Sequence, residues 1–108
     1  MDKKENKELK KFINAMVREF GPCEIILFGS KANGMDWKKS DFDIIIVSDK
    51  FQGVKWLQRI SKIVQHWKMD KDLDVLPYTR EEFEYKKKNY SFIREALVKS
   101  VLLNKISK

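Results

Sequence analysis

Residues 24–47 read EIILFGSKANGMDWKKSDFDIIIV, and the rest of the chain is arranged around this stretch. Two apolar runs, Ile25 to Phe28 and Ile44 to Val47, flank a polar loop. Both are too short for free-standing helices and are rich in β-branched and aromatic residues, which predicts a pair of buried strands. Gly29 and Ser30 follow the first run directly. A glycine there lets the backbone turn tightly and approach a ligand, and the next residues can open a short helix whose N–H groups face an anion. Ser30 adds a hydroxyl donor.

Asp41 and Asp43 open the second run. Successive side chains of a strand alternate faces, so two carboxylates two residues apart point the same way and one cation can touch both. Side-by-side carboxylates on an otherwise apolar strand are unfavourable unless a cation or donors neutralise them, since desolvating each costs on the order of several kcal/mol. A hard divalent cation such as Mg²⁺ matches carboxylate oxygens and commonly keeps phosphate oxygens and water as its other ligands.

Gly29-Ser30, ten residues, then Asp41-x-Asp43, with a later strand-like Leu73-Asp74-Val75-Leu76, resembles the nucleotidyltransferase superfamily that includes DNA polymerase β, and especially its smallest members. These minimal nucleotidyltransferases are often the antitoxin partners of HEPN-domain toxins. The resemblance extends from the opening helix to Ile93-Arg94-Glu95-Ala96-Leu97. It implies that Gly29 and Ser30 hold the triphosphate of ATP, that Asp41 and Asp43 bind Mg²⁺, and that Asp74 completes a catalytic, metal-binding carboxylate triad. Minimal members commonly carry a basic residue between the Ala and Gly of the loop; Lys31-Ala32-Asn33-Gly34 has Asn33 there, with Lys31 nearby.

The chain has 108 residues, 43% of them hydrophobic, with no Pro/Gly/Ser-rich linker, so residues 1–108 are expected to form a single domain. A domain of this size hides roughly two-thirds of the surface its unfolded chain exposes, enough to fold without disulfides. Cys23 is the only cysteine and reads as a buried structural thiol, consistent with a reducing compartment. Without a membrane-length apolar stretch or a signal-peptide core at Met1 to Glu5, the expected location is the cytoplasm. The formal charge of +7 suits a nucleotide, nucleic acid or acidic protein partner, although most of the lysines read as a solvated surface. Lys38 and Lys39 are the exception, because they lead into Asp41.

Leu9, Phe12, Ile13, Met16, Val17 and Phe20 recur at helical spacing up to Gly21-Pro22. Trp56, Leu57, Ile60, Ile63, Val64 and Trp67 define a second amphipathic helix, with Arg59, Lys62 and His66 on its polar side. Leu73 to Leu76 form a third strand ended by Pro77. Asp72 and Asp70 compete with Asp74 as a third carboxylate but fall in the turn before the apolar run. Thr79-x-x-Glu82 has capping-box form and starts a helix with Phe83 inward. Ser91 caps a final helix with Ile93, Ala96, Leu97 and Val101 on its apolar stripe. Tyr78, Tyr85 and Tyr90 read as partly buried.

The order helix, strand, loop, strand, helix, strand, helix, helix predicts an α/β or α+β domain, a small mixed sheet covered by helices in a nucleotidyltransferase-like fold. By resemblance, the expected reaction is Mg²⁺-dependent transfer of AMP from ATP to a HEPN toxin tyrosine, the acceptor being supplied from outside so short a chain. A non-catalytic antitoxin or adaptor, a nucleic-acid-binding regulator, and an enzyme acting on another acceptor remain alternatives. Intact Gly29, Ser30, Asp41 and Asp43 favour an enzyme. Nucleic acid is less favoured, because no basic residues stand out as interleaved with stacking aromatics.

Overall fold

In the structure, a computed structural model describing residues 3–29 and 41–104, Ile25, Ile44, Ile45 and Ile46 have no exposed surface. They belong to β1 (Glu24–Phe28) and β2 (Phe42–Val47), which pair antiparallel with Phe28 opposite Asp43. β3 (Leu73–Tyr78) lies parallel to β2, and a two-residue strand, β4 (Val101–Leu102), pairs antiparallel with β1. Among the described residues these form one mixed sheet in the order β3-β2-β1-β4. The predicted α/β architecture is therefore observed, with the two acid-bearing strands adjacent and parallel.

Helices cover both faces. On one, α1 (Lys3–Phe20) contributes Leu9, Phe12, Ala15, Met16 and Phe20, and α2 (Trp56–Val64) contributes Ile63, against Ile25, Leu27, Phe42, Ile44, Ile46 and Val75. On the other, Phe83 of α3 (Arg80–Asn89) and Ile93 of α4 (Ser91–Val98) pack on Ile26, Ile45, Val47 and Tyr78. Strand alternation turns Asp43 and Asp74 toward this second face, the side of Ile45 and Leu76. The free thiol of Cys23 is buried, and burial followed by the neighbouring Glu24 charge pushes its pKa up. Among the described residues no helix is long and apolar enough to cross a membrane.

The capping box of α3 is present as predicted: Thr79 Oγ1 accepts from Glu82 N–H at 3.2 Å, and Glu82 Oε1 accepts from Thr79 N–H at 2.9 Å. Other expectations are corrected. Pro77 does not end the third strand, which runs on to Tyr78; β3 is an edge strand, where a missing N–H leaves no central ladder bond unmade. α2 stops at Val64, and Trp67 lies beyond it, its ring packed on Phe12 and Phe42. Arg59, assigned to the polar side, is buried, whereas Leu57 is 77% exposed. Tyr90, not Ser91, occupies the N-cap of α4. Val101 does not extend that helix but starts β4, while Val17, Tyr85 and Tyr90 are exposed.

Candidate active site

The parallel register of β2 and β3 sets Asp43 beside Asp74, and the antiparallel register of β1 and β2 sets Phe28 on the other side of Asp43. The result is a row across the sheet: an aromatic ring, a half-buried carboxylate, an exposed carboxylate. Neighbouring strands are about 4.8 Å apart, close enough for the two acids to interact directly. Asp43 has its pKa raised, first by burial, then by the charge of Asp74 and a hydrogen bond with it, and last by the charge of Asp41. These are the causes expected when two carboxylates compete for one proton in a partly desolvated place.

Two contacts hold the row in register where β2 and β3 begin. Phe42 N–H donates to Asp72 O at 2.9 Å, tying the residue before Asp43 to the residue two before Asp74. Trp67 Nε1–H donates to Lys71 O at 2.7 Å, so the ring wedged between Phe12 and Phe42 also anchors the entry to β3. Spacing alone could not reveal this second contact, since it needs Trp67 to leave α2 and turn back.

Gly29 closes the site from β1. Its φ of +79° is the left-handed conformation that glycine adopts without strain. A Cβ built there would overlap the Asp43 carboxylate oxygen Oδ2 and lie 3.2 Å from Asp43 Cγ. The backbone after the first strand therefore passes directly against the acid, and only glycine leaves that space open.

Of the sequence-predicted site residues, Asp43, Asp74 and Gly29 are brought together. Asp41 lies one residue before β2, exposed, with its charge acting on Asp43. Ser30, Lys31, Asn33, Lys38 and Lys39 lie outside the described residues. Among the described residues no three Asp, Glu, His or Cys side chains form a ready-made metal cage. Phe28 was missed as part of the site; its signal was its position directly before Gly29, at the end of an apolar run.

Residues 9–104 match the family model of the nucleotidyltransferase domain. The chain belongs to that family. Among solved structures, this nucleotidyltransferase domain is similar to a candidate nucleotidyltransferase of 27% identity, over 92% of this chain and 97% of the other, with a TM-score of 0.56. A candidate nucleotidyltransferase from Sulfolobus solfataricus shares the fold at 20% identity, over 89% of this chain and 76% of the other, with a TM-score of 0.60. BolA1 from Arabidopsis thaliana also shares it, at 16% identity and a TM-score of 0.55, over 69% of this chain and 94% of the other. Fold alone does not fix a function, and it is the family membership that supports a nucleotidyl-transfer role. No curated protein matches the chain.

Proposed function

We propose that this domain transfers AMP from ATP to a hydroxyl of a partner protein in the cytoplasm, a tyrosine of a HEPN-type toxin, in the manner of the minimal nucleotidyltransferases it resembles. The observation that carries the reading is the Asp43–Asp74 pair, packed against a glycine turn, in a nucleotidyltransferase domain. Donor chemistry fits a hard divalent ion. The donors are all oxygens, and burial and the charge of Asp74 raise the cost of ionising Asp43 until a cation neutralises it.

In this reading Asp41, Asp43 and Asp74 hold Mg²⁺, which when bound supplies charge neutralisation for the triphosphate and for the departing pyrophosphate. Gly29 leaves room for phosphate oxygens against the turn, and Ser30 donates its hydroxyl hydrogen to a distal phosphate oxygen. The acceptor oxygen attacks the α-phosphorus in line. A new O–P bond forms, the bond from the α-phosphorus to the bridging oxygen breaks, and pyrophosphate leaves with that oxygen. Asp74, the more exposed acid of the pair, takes the acceptor's proton. Phe28, paired with Asp43 across the sheet, helps keep water from it.

The test is incubation with Mg²⁺ and α-labelled ATP, with and without a purified HEPN-domain protein. The expected result is label and one AMP of added mass on the HEPN protein, abolished by EDTA and by Tyr→Phe at the labelled position. Label on neither protein, in the presence of Mg²⁺ and intact ATP, would overturn the reading.

A further inference from the structure

The elbow between α3 and α4 carries a surface that the transfer reaction does not use. From Tyr85 to Arg94 the chain reads YKKKNYSFIR, four cations and three aromatic rings within ten residues. From the sequence, Tyr85 and Tyr90 read as partly buried. In the structure Tyr85 is 58% exposed, Tyr90 46% and Phe92 63%. Three exposed rings around a lysine run are not needed by the core, which uses Phe83 and Ile93 from these helices.

The elbow is built rather than loose. Arg94 Nη1 donates to Lys87 O at 2.6 Å and Lys88 O at 3.0 Å, satisfying carbonyls at the end of α3, and Asn89 Nδ2 donates to Tyr85 O at 2.8 Å. The Tyr85 and Tyr90 rings meet edge to face at 6.4 Å, and the Lys86 ammonium lies 4.8 Å above the Tyr90 ring. Tyr90 is thus partly engaged by its neighbours, while Tyr85 and Phe92 are the more open rings. Ordering such a surface before binding lowers the entropy lost on binding.

We propose that this elbow binds single-stranded nucleic acid, with bases stacking on Tyr85 and Phe92 and the phosphate backbone following Lys86, Lys88 and Arg94. A stacking ring beside a cation is the combination by which proteins hold unpaired strands without reading sequence. A duplex fits poorly, because its bases are already stacked on one another. The net charge of +7 gathers a polyanion from solution, and the rings select one with unpaired bases. An acidic protein would use the lysines and leave the rings idle.

The experiment is fluorescence anisotropy with labelled twelve-nucleotide oligo(U) and oligo(dT), in EDTA so that the carboxylate site cannot hold phosphate through a cation. A duplex of equal length and a polyglutamate peptide of equal charge serve as competitors. Tyr85→Ala and Phe92→Ala are expected to weaken binding by about tenfold each, and Lys88→Gln to lower the salt slope by roughly 0.7. Leu57→Ala, an exposed apolar truncation on α2 outside the elbow, should change neither. Equal competition by polyglutamate with unchanged affinity of both ring variants would overturn the proposal in favour of an acidic protein partner. Equal affinity for the duplex, or no binding to either oligomer at low salt, would also overturn it. Stronger binding of oligo(U) than of oligo(dT), or the reverse, identifies RNA or DNA as the preferred strand within the proposal.

Discussion

Arg59 of α2 grips Glu82 of α3 with two guanidinium nitrogens, Nη1 to Oε1 at 2.6 Å and Nη2 to Oε2 at 3.1 Å. Its Nε also donates to Val54 O at 2.7 Å and its Nη1 to Pro77 O at 3.0 Å, so one side chain joins α2, β3 and α3. Removing it strands two carbonyls and an acid whose side chain is 43% exposed. Because the acid keeps partial hydration, Arg59→Ala is expected to destabilise the fold by about 3 kcal/mol, the lower end of the range for broken buried pairs. Arg59→Lys should recover only part, since an ammonium lacks the planar fork that meets a carboxylate in two places. Urea unfolding checks both; a loss below about 1 kcal/mol in Arg59→Ala would show the network to be dispensable.

The same pair sets a pH dependence. The Arg59 hydrogen bond, aided by the Thr79 backbone N–H and opposed by burial, holds the Glu82 carboxyl below its ordinary 4.5. A depressed folded value means that the unfolded chain binds the proton first as pH falls. The contribution is complete above the ordinary value and is lost as pH drops through the folded one. The stability gap between wild type and Arg59→Ala should therefore be constant from about pH 6 to 8 and narrow as pH falls below the ordinary carboxyl value. A gap that widened on acidification would contradict this sign.

Gly29 and Gly53 provide a matched comparison. Their φ angles are +79° and +76°, so alanine meets a similar backbone cost at either, about 1 kcal/mol. At Gly53 the new methyl meets nothing within 4 Å, whereas at Gly29 it collides with the Asp43 carboxylate. Both variants should melt at reduced temperatures, Gly29→Ala the lower of the two because of the collision, with nucleotidyl transfer at matched folded fraction falling at least about tenfold more in Gly29→Ala. Equal activities at matched folded fractions would separate Gly29 from the chemistry.

The central elements were legible because their signals are local. Short β-branched runs, helical apolar spacing and the Thr79/Glu82 box each read out within one segment. Arg59 was not legible, because a buried cation is decided by acceptors supplied by Val54, Pro77 and Glu82, the last of them 23 residues away. β4 was hidden because Val101 and Leu102 continue an apolar helical pattern and become a strand only by pairing with Leu27 and Ile26. Pro77 misled because the rule that proline ends a strand gives way at a sheet edge. The Asp41-x-Asp43 spacing and Gly29 pointed to the site, but the partnership of Asp43 with Asp74 rests on strand order, and the overlap at Gly29 on register.

Asp43→Asn distinguishes chemistry from simple occupancy. Its carboxyl is raised first by burial and then by Asp74, so ionising it costs more in the folded chain than in the unfolded one without a cation. For an acid with a raised folded value, stability is greatest below the unfolded pKa and declines as pH climbs through the folded one. At neutral pH the amide removes that penalty, and the metal-free variant should melt no lower than wild type. Mg²⁺ should raise the melting temperature of wild type and leave the variant unchanged, and transfer should fall by about a hundredfold or more. A HEPN partner of the proposed kind should still bind, because the substitution alters one side chain inside the sheet row. If AMP transfer silences the HEPN protein, the variant forms the complex and leaves the partner active and unmodified. An unmodified partner fully inhibited by Asp43→Asn at matched occupancy would sink the enzymatic account of inhibition and make the domain an adaptor.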